Sequence, residues 1–248
     1  MNTVIITSLA IALTSVANAS VIAVNFSGRS DNGNPGATPD QLLTQSGASA
    51  GIAAGVNGTT TFTDVIASYN GVGGAGPQTI LGTDGSSLDL TYTSVGTWSK
   101  SASSSRVAAA ENASGDLTDG HIEGNNPTGI SVTLDNINYT GTYDLYVYLG
   151  DDAGGRSASI SLGGDTRSYT SQIFDGTFVD ASAGGGIAGD YMLFSGLTGT
   201  SQTFQLGGVD NANRSGLLGF ELVGTVPEPS STAMLGLTGL GFILRRRR

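Results

Sequence analysis

Residues 143–149 read YDLYVYL. In an extended chain, alternate side chains share a face, so Tyr143, Leu145, Val147 and Leu149 form one side. Asp144, Tyr146 and Tyr148 form the other. Short stretches of the same kind recur at Val21–Phe26, Leu88–Thr93, Ile130–Leu134, Ala158–Leu162, Arg167–Ile173, Tyr191–Phe194, Thr203–Leu206 and Gly219–Val223. Clusters of Gly, Asn and Asp separate them. Short alternating strands with turn-rich gaps predict an all-β, jelly-roll-like β-sandwich. Composition agrees: 39 of 248 residues are glycine, against a usual share of about 7%. Residues 27–40 predict a loop, and Ser104–Glu111 is the one predicted short helix. No fixed-period repeat suggests a solenoid.

The two ends do not fit that pattern. Val4–Val16 is largely apolar, and Ala17-Asn18-Ala19 is a small-x-small triplet of the kind signal peptidase accepts. Residues 1–19 are therefore predicted to be a signal peptide cut between Ala19 and Ser20, although the segment has no Lys or Arg. At the other end, Ala233–Leu244 is a run of twelve uncharged residues followed by Arg245, Arg246, Arg247 and Arg248. As a helix, twelve residues span roughly 18 Å, whereas a bilayer core is about 30 Å thick. Pro227 and Pro229 oppose upstream extension of a helix. The run predicts a short C-terminal transmembrane helix that touches the cytoplasmic membrane transiently. Its arginines face the cytoplasm.

Val226, Pro227, Glu228, Pro229 and Ser230, then the apolar run, then the Arg cluster, resemble the PEP-CTERM sorting signal of Gram-negative bacteria. The resemblance covers residues 226–248. It implies recognition by an exosortase, a membrane-embedded cysteine protease, cleavage near Pro-Glu-Pro, and delivery to the cell surface or exopolysaccharide matrix. The β-rich region before it is similar to jelly-roll domains of exported proteins. These include galactose-binding-like and carbohydrate-binding sandwiches, and domains carried with this signal in verrucomicrobial and planctomycete proteins. The implied organisation is signal peptide 1–19, β-sandwich 20–225 and sorting signal 226–248.

Within residues 20–225, six cations stand against 19 acidic residues, a net charge of −13. A chain this acidic is not expected to bind nucleic acid through phosphates. The chain has no cysteine, which excludes disulfides and thiolate metal sites.

Candidate ligand-binding residues are few. Tyr146 and Tyr148 either line an exposed sheet face on which sugar rings stack or pack beneath a loop. Trp98, the only tryptophan, sits in a Ser/Gly-rich segment predicted to be a loop. It is either a ligand platform or a plug at one end of the sandwich. Asp151 and Asp152 are the favoured pair for a structural calcium, an ion that takes six to eight oxygen ligands, but no EF-hand spacing is present. His121, the sole histidine, reads as a surface-loop residue. No G-x-S-x-G elbow accompanies it. Thr59-Thr60-Thr61-Phe62-Thr63 and Thr91-Tyr92-Thr93 invite an ice-binding reading, but that needs regular Thr-x-Thr ladders over many strands, and they do not recur in the sequence. No catalytic residue or cofactor is assigned. The expected function is that of a non-catalytic surface or matrix protein able to bind carbohydrate. The alternative is a secreted hydrolase acting on polysaccharide, its carboxylate pair hidden among the many acids.

Overall fold

The computed structural model describes residues 19–28, 42–45, 60–67, 73–82, 85–99, 120–124, 129–150, 154–172, 178–208 and 214–225. Ala19–Val226 forms a compact unit of its own. Its described strands are β1 (Ala19–Gly28), β2 (Leu42–Gln45), β3 (Thr60–Ala67), β4 (Gly73–Leu81), β5 (Ser87–Ser94), β6 (Gly96–Ser99), β7 (Gly120–Gly124) and β8 (Ile130–Asp135). They continue with β9 (Tyr143–Leu149), β10 (Ser157–Leu162), β11 (Asp165–Ser171), β12 (Ile187–Gly189), β13 (Tyr191–Leu197), β14 (Gln202–Gly208) and β15 (Ser215–Thr225).

These strands build two sheets. The eight-stranded sheet has the order β13-β9-β15-β1-β3-β2, with β7 also on β15 and β6 on β7. The seven-stranded sheet runs β12-β11-β10-β14-β8-β5-β4. Pairing is antiparallel except between β1 and β3 and between β11 and β12. The described residues contain no helix. The predicted helix at Ser104–Glu111 lies outside them.

The core lies between the sheets, as expected for sheets packed face to face. Ile22, Val24 and Phe26 of β1, Leu145 and Val147 of β9, and Phe220 and Leu222 of β15 come from one side. Leu88 and Leu90 of β5, Val132 and Leu134 of β8, Ile160 of β10, and Phe204 and Leu206 of β14 come from the other. Phe220 joins the two, 6.3 Å from Phe26 and 6.2 Å from Phe204 between ring centroids.

The sheets differ in how their outward faces are covered. In β5, β8 and β10, buried and partly exposed residues alternate, so the seven-stranded sheet keeps one open face. In β9, all residues but Asp144 are buried. The eight-stranded sheet is covered there by a second apolar cluster of Val21, Ala23, Tyr146, Tyr148, Tyr191 and Leu218.

Several strands depart from the sequence reading. Residues 27 and 28 extend β1 instead of opening a loop, and β2, β3, β4, β6, β7 and β12 are additional. Threonines align across neighbouring strands of the seven-stranded sheet. Thr91 faces Thr133, and Thr133 faces Thr203, across three strands.

Candidate functional site

The outward face of β9 is the first place to look for a site. Tyr146 stands opposite Glu221 of β15 and Leu193 of β13. Tyr148 stands opposite Gly219 and Tyr191. Glu221 is also opposite Ala23 of β1, so it sits in the middle of three strands. The Tyr148 hydroxyl donates to Glu221 Oε2 at 2.8 Å. This bond lets a carboxyl group reside on a covered apolar face, where an unbonded one would be costly.

Of the two readings of Tyr146 and Tyr148, the structure shows the packed one and not the exposed platform. Tyr146 is only 3% exposed and Tyr148 is 0% exposed. The Tyr191 ring packs 6.3 Å from Tyr146, and Phe178 packs 5.4 Å from Tyr148. The cause is the segment from Phe178 to Asp190, which returns over β9. Asp190 holds it down: its Oδ2 accepts from the Val179 amide at 3.0 Å, and its carbonyl accepts from the Leu149 amide at 2.6 Å. Burial, with Asp144 and Glu221 nearby, pushes the Tyr146 phenol up to about 12. Neither ring presents an open face on which a sugar could stack.

The second place is β7. Trp98 stands in strand β6, opposite His121 of β7, and not in a loop. Its side chain lies outside what the structure describes. His121 is a fully buried strand residue, which corrects the surface-loop reading. Its Nε2 is 3.3 Å from Glu123 Oε1, and Arg214 Nη1 donates to both Glu123 oxygens at 3.3 and 3.4 Å. Burial alone would raise the Glu123 carboxyl. The hydrogen bond and charge of His121, with those of Arg214, outweigh it and hold the group below its ordinary range. The sequence signal was the alternation His-Ile-Glu, with Ile122 in the core and its two polar neighbours on the opposite side.

Glu123 and Glu221 share a sheet but do not form a hydrolytic pair. Gly216, the register partner of Glu123, lies five residues from Glu221 along β15. At the strand rise this is roughly 16 Å, well beyond the 5–10 Å or so of glycosidase carboxylates.

Among the described residues no group of three or more His, Cys, Asp or Glu side chains is placed to hold a metal ion. Asp151 and Asp152 lie outside them, as do Val226–Ser230 and Arg245–Arg248. Among the described residues no helix is long and apolar enough to cross a membrane. Ala19 and Ser20 open β1, and Ser20 is buried.

No curated protein matches the chain. Among solved structures it is similar to the CBM36-1 domain of a multidomain xylanase from the hindgut metagenome of Trinervitermes trinervoides. That match has 15% identity and a TM-score of 0.28, covering 44% of this chain and 82% of the domain. It is also similar to an exo-beta-1,3-galactanase from Phanerochaete chrysosporium, at 14% identity and a TM-score of 0.29. That match covers 60% of this chain and 29% of the galactanase. The PEP-CTERM protein-sorting motif matches residues 225–248, which implies an exported protein sorted to the cell surface by an exosortase.

Proposed function

We propose that this chain is a non-catalytic component of the cell surface or exopolysaccharide matrix, of the verrucomicrobial or planctomycete type, and that it binds polysaccharide. The observation that carries the reading is the sorting motif at residues 225–248. Signal peptidase would release residues 1–19 between Ala19 and Ser20. The apolar run Ala233–Leu244 would hold the chain in the cytoplasmic membrane while the exosortase acts near Pro227–Pro229. The mature domain is strongly acidic, which suits a soluble exported protein and disfavours nucleic acid as a partner. Delivery to the exopolysaccharide matrix, which the resemblance to this sorting signal implies, would bring the domain against polysaccharide. The seven-stranded sheet supports that reading by offering a broad open polar face.

The test is to delete residues 226–248 in the native host and follow the protein. The expected result is loss from the cell surface and appearance in the medium or periplasm. Unchanged surface display would refute the sorting route. Release of new reducing ends from a polysaccharide by the purified protein would refute the non-catalytic reading and favour a hydrolase.

A further inference from the structure

The open face of the seven-stranded sheet carries hydroxyl and amide groups in register. Thr91, Thr133 and Thr203 form one row across β5, β8 and β14. Thr93, Ser131, Gln205, Ser161 and Thr166 form the next, across β5, β8, β14, β10 and β11. Gly207, Ser159 and Ser168 begin a third. With strands about 4.8 Å apart, the five-strand row is roughly 20 Å wide.

This face holds a depression of about 300 Å³ lined by Gly129, Ser131, Ser159, Ser161, Gln205 and Gly207, together with the buried residues Ile130 and Leu206. Its depth comes from residue size. Gly207 occupies an outward position, and a Cβ built there would meet nothing within 4 Å. Some of the rim is already ordered, since Thr133 and Thr203 share a hydrogen bond of 3.1 Å and Ser161 and Thr166 one of 2.8 Å.

The chemistry of this surface restricts its occupant. The lining residues include no aromatic side chain and no ionisable one. A protein partner would normally need an apolar or aromatic anchor at the centre. An anionic polymer would meet a domain of net charge −13 with no cation in the depression. Hydroxyls and a carboxamide both donate and accept, so their complement is a neutral ligand that does the same at many points.

We propose that this depression, with the hydroxyl rows beside it, is a binding surface for a neutral polysaccharide chain, read by hydrogen bonds and not by ring stacking. The inference rests on the polysaccharide reading above and adds the place and the ligand class. Each hydrogen bond exchanged with water gains little. Binding therefore depends on many contacts along one polymer and is weak for a single sugar. The depression also interrupts the flatness that an ice-contacting face would need, and the sheet twists.

The experiment uses the full chain, purified in mild detergent, mixed with insoluble cellulose, xylan and β-1,3-glucan, and with alginate as the anionic control. Depletion from solution is measured for the native chain, for Gly207→Val, which fills the depression, and for Gln205→Ala, which removes its amide. The expected result is retention on at least one neutral polymer and none on alginate, with Gly207→Val at least tenfold weaker, Gln205→Ala a few-fold weaker, and melting unchanged. Native-like retention by both variants would overturn the proposed surface while leaving the polysaccharide reading intact. Retention on alginate alone would overturn the neutral class. No retention of the native chain on any polymer, or ice shaping in its place, would overturn both.

Discussion

Tyr148 donates its hydroxyl to Glu221 Oε2 at 2.8 Å, and neither side chain meets solvent. The bond crosses from β9 to β15, near the centre of the eight-stranded sheet, where a carboxyl group deprived of a donor is costly. Tyr148→Phe keeps the ring packed against Phe178 and removes only this donor. It is expected to cost about 1–3 kcal/mol, the range for a hydrogen bond to a buried polar or charged group. Urea unfolding should show a lower midpoint with an unchanged slope. An unaltered midpoint would mean that the bond contributes nothing net.

The same pair shows why the covered face was hard to read from sequence. Alternation places Tyr146 and Tyr148 opposite the core side of β9, and that placement is right. Whether the second face meets solvent depends on the distant segment Phe178–Asp190, and period-two patterning contains nothing about such a cover. Strands with clean alternation, such as Leu88–Leu90 in β5 and Ile130–Leu134 in β8, were legible because only one of their faces is buried. Strand β7, Gly-His-Ile-Glu-Gly, was not. Its composition is that of a turn, and its extended form comes from pairing with β6 and β15, which overrides weak local preference. The hydroxyl face was missed for a related reason. Ser159-Ile160-Ser161 and Thr203-Phe204-Gln205 are unremarkable apart, and they become one surface only when the registers of β10 and β14 are known.

Glu123 gives the fold an acid-sensitive contact. Its carboxyl lies below its ordinary 4.5 because His121 and Arg214 favour the charged form more than burial disfavours it. A depressed carboxyl contributes stability that is complete above the unfolded value. That stability is lost as pH falls from about 4.5 through the lower folded value. The difference in unfolding free energy between the native chain and Glu123→Gln should therefore shrink as pH falls below about 4.5. A difference that stays flat to pH 3 would show that the contact is not ionic.

Two glycines beside the same depression should respond in opposite ways. A Cβ on Gly129 would lie 2.1 Å from the Leu206 carbonyl oxygen, a backbone atom that cannot step aside without breaking the ladder. Gly129→Ala is expected to destabilise by about 3 kcal/mol, the upper end of overpacking. A Cβ on Gly207 enters open space, and alanine loses less backbone entropy on folding than glycine. Gly207→Ala should change stability by no more than about 0.5 kcal/mol in the unfavourable direction. Thermal melts of the two variants side by side check this, and equal losses would contradict it.

Ala19 pairs with Thr225, so the first and last strands of the domain end beside each other in one antiparallel ladder that runs to Asn25 and Gly219. Two processing events would therefore act on neighbouring strand ends. Ser20 is buried and sits opposite Gly224, and a peptidase needs the bond between Ala19 and Ser20 extended and unpaired. Release of residues 1–19 should precede the joining of β1 to β15. At the other end, β15 is complete at Thr225, so cleavage at or beyond Val226 leaves every residue of β15 in place. A cut inside β15 would strip partners from β1 and β9 together. Intact mass of protein recovered from the cell surface should place the N-terminus at Ser20 and the C-terminus at Val226 or later. A retained Met1, or an end before Thr225, would contradict this order. Substituting Ala17 and Ala19 by bulky residues should leave the signal attached and the surface form absent, because β1 would then enter the ladder still carrying residues 1–19.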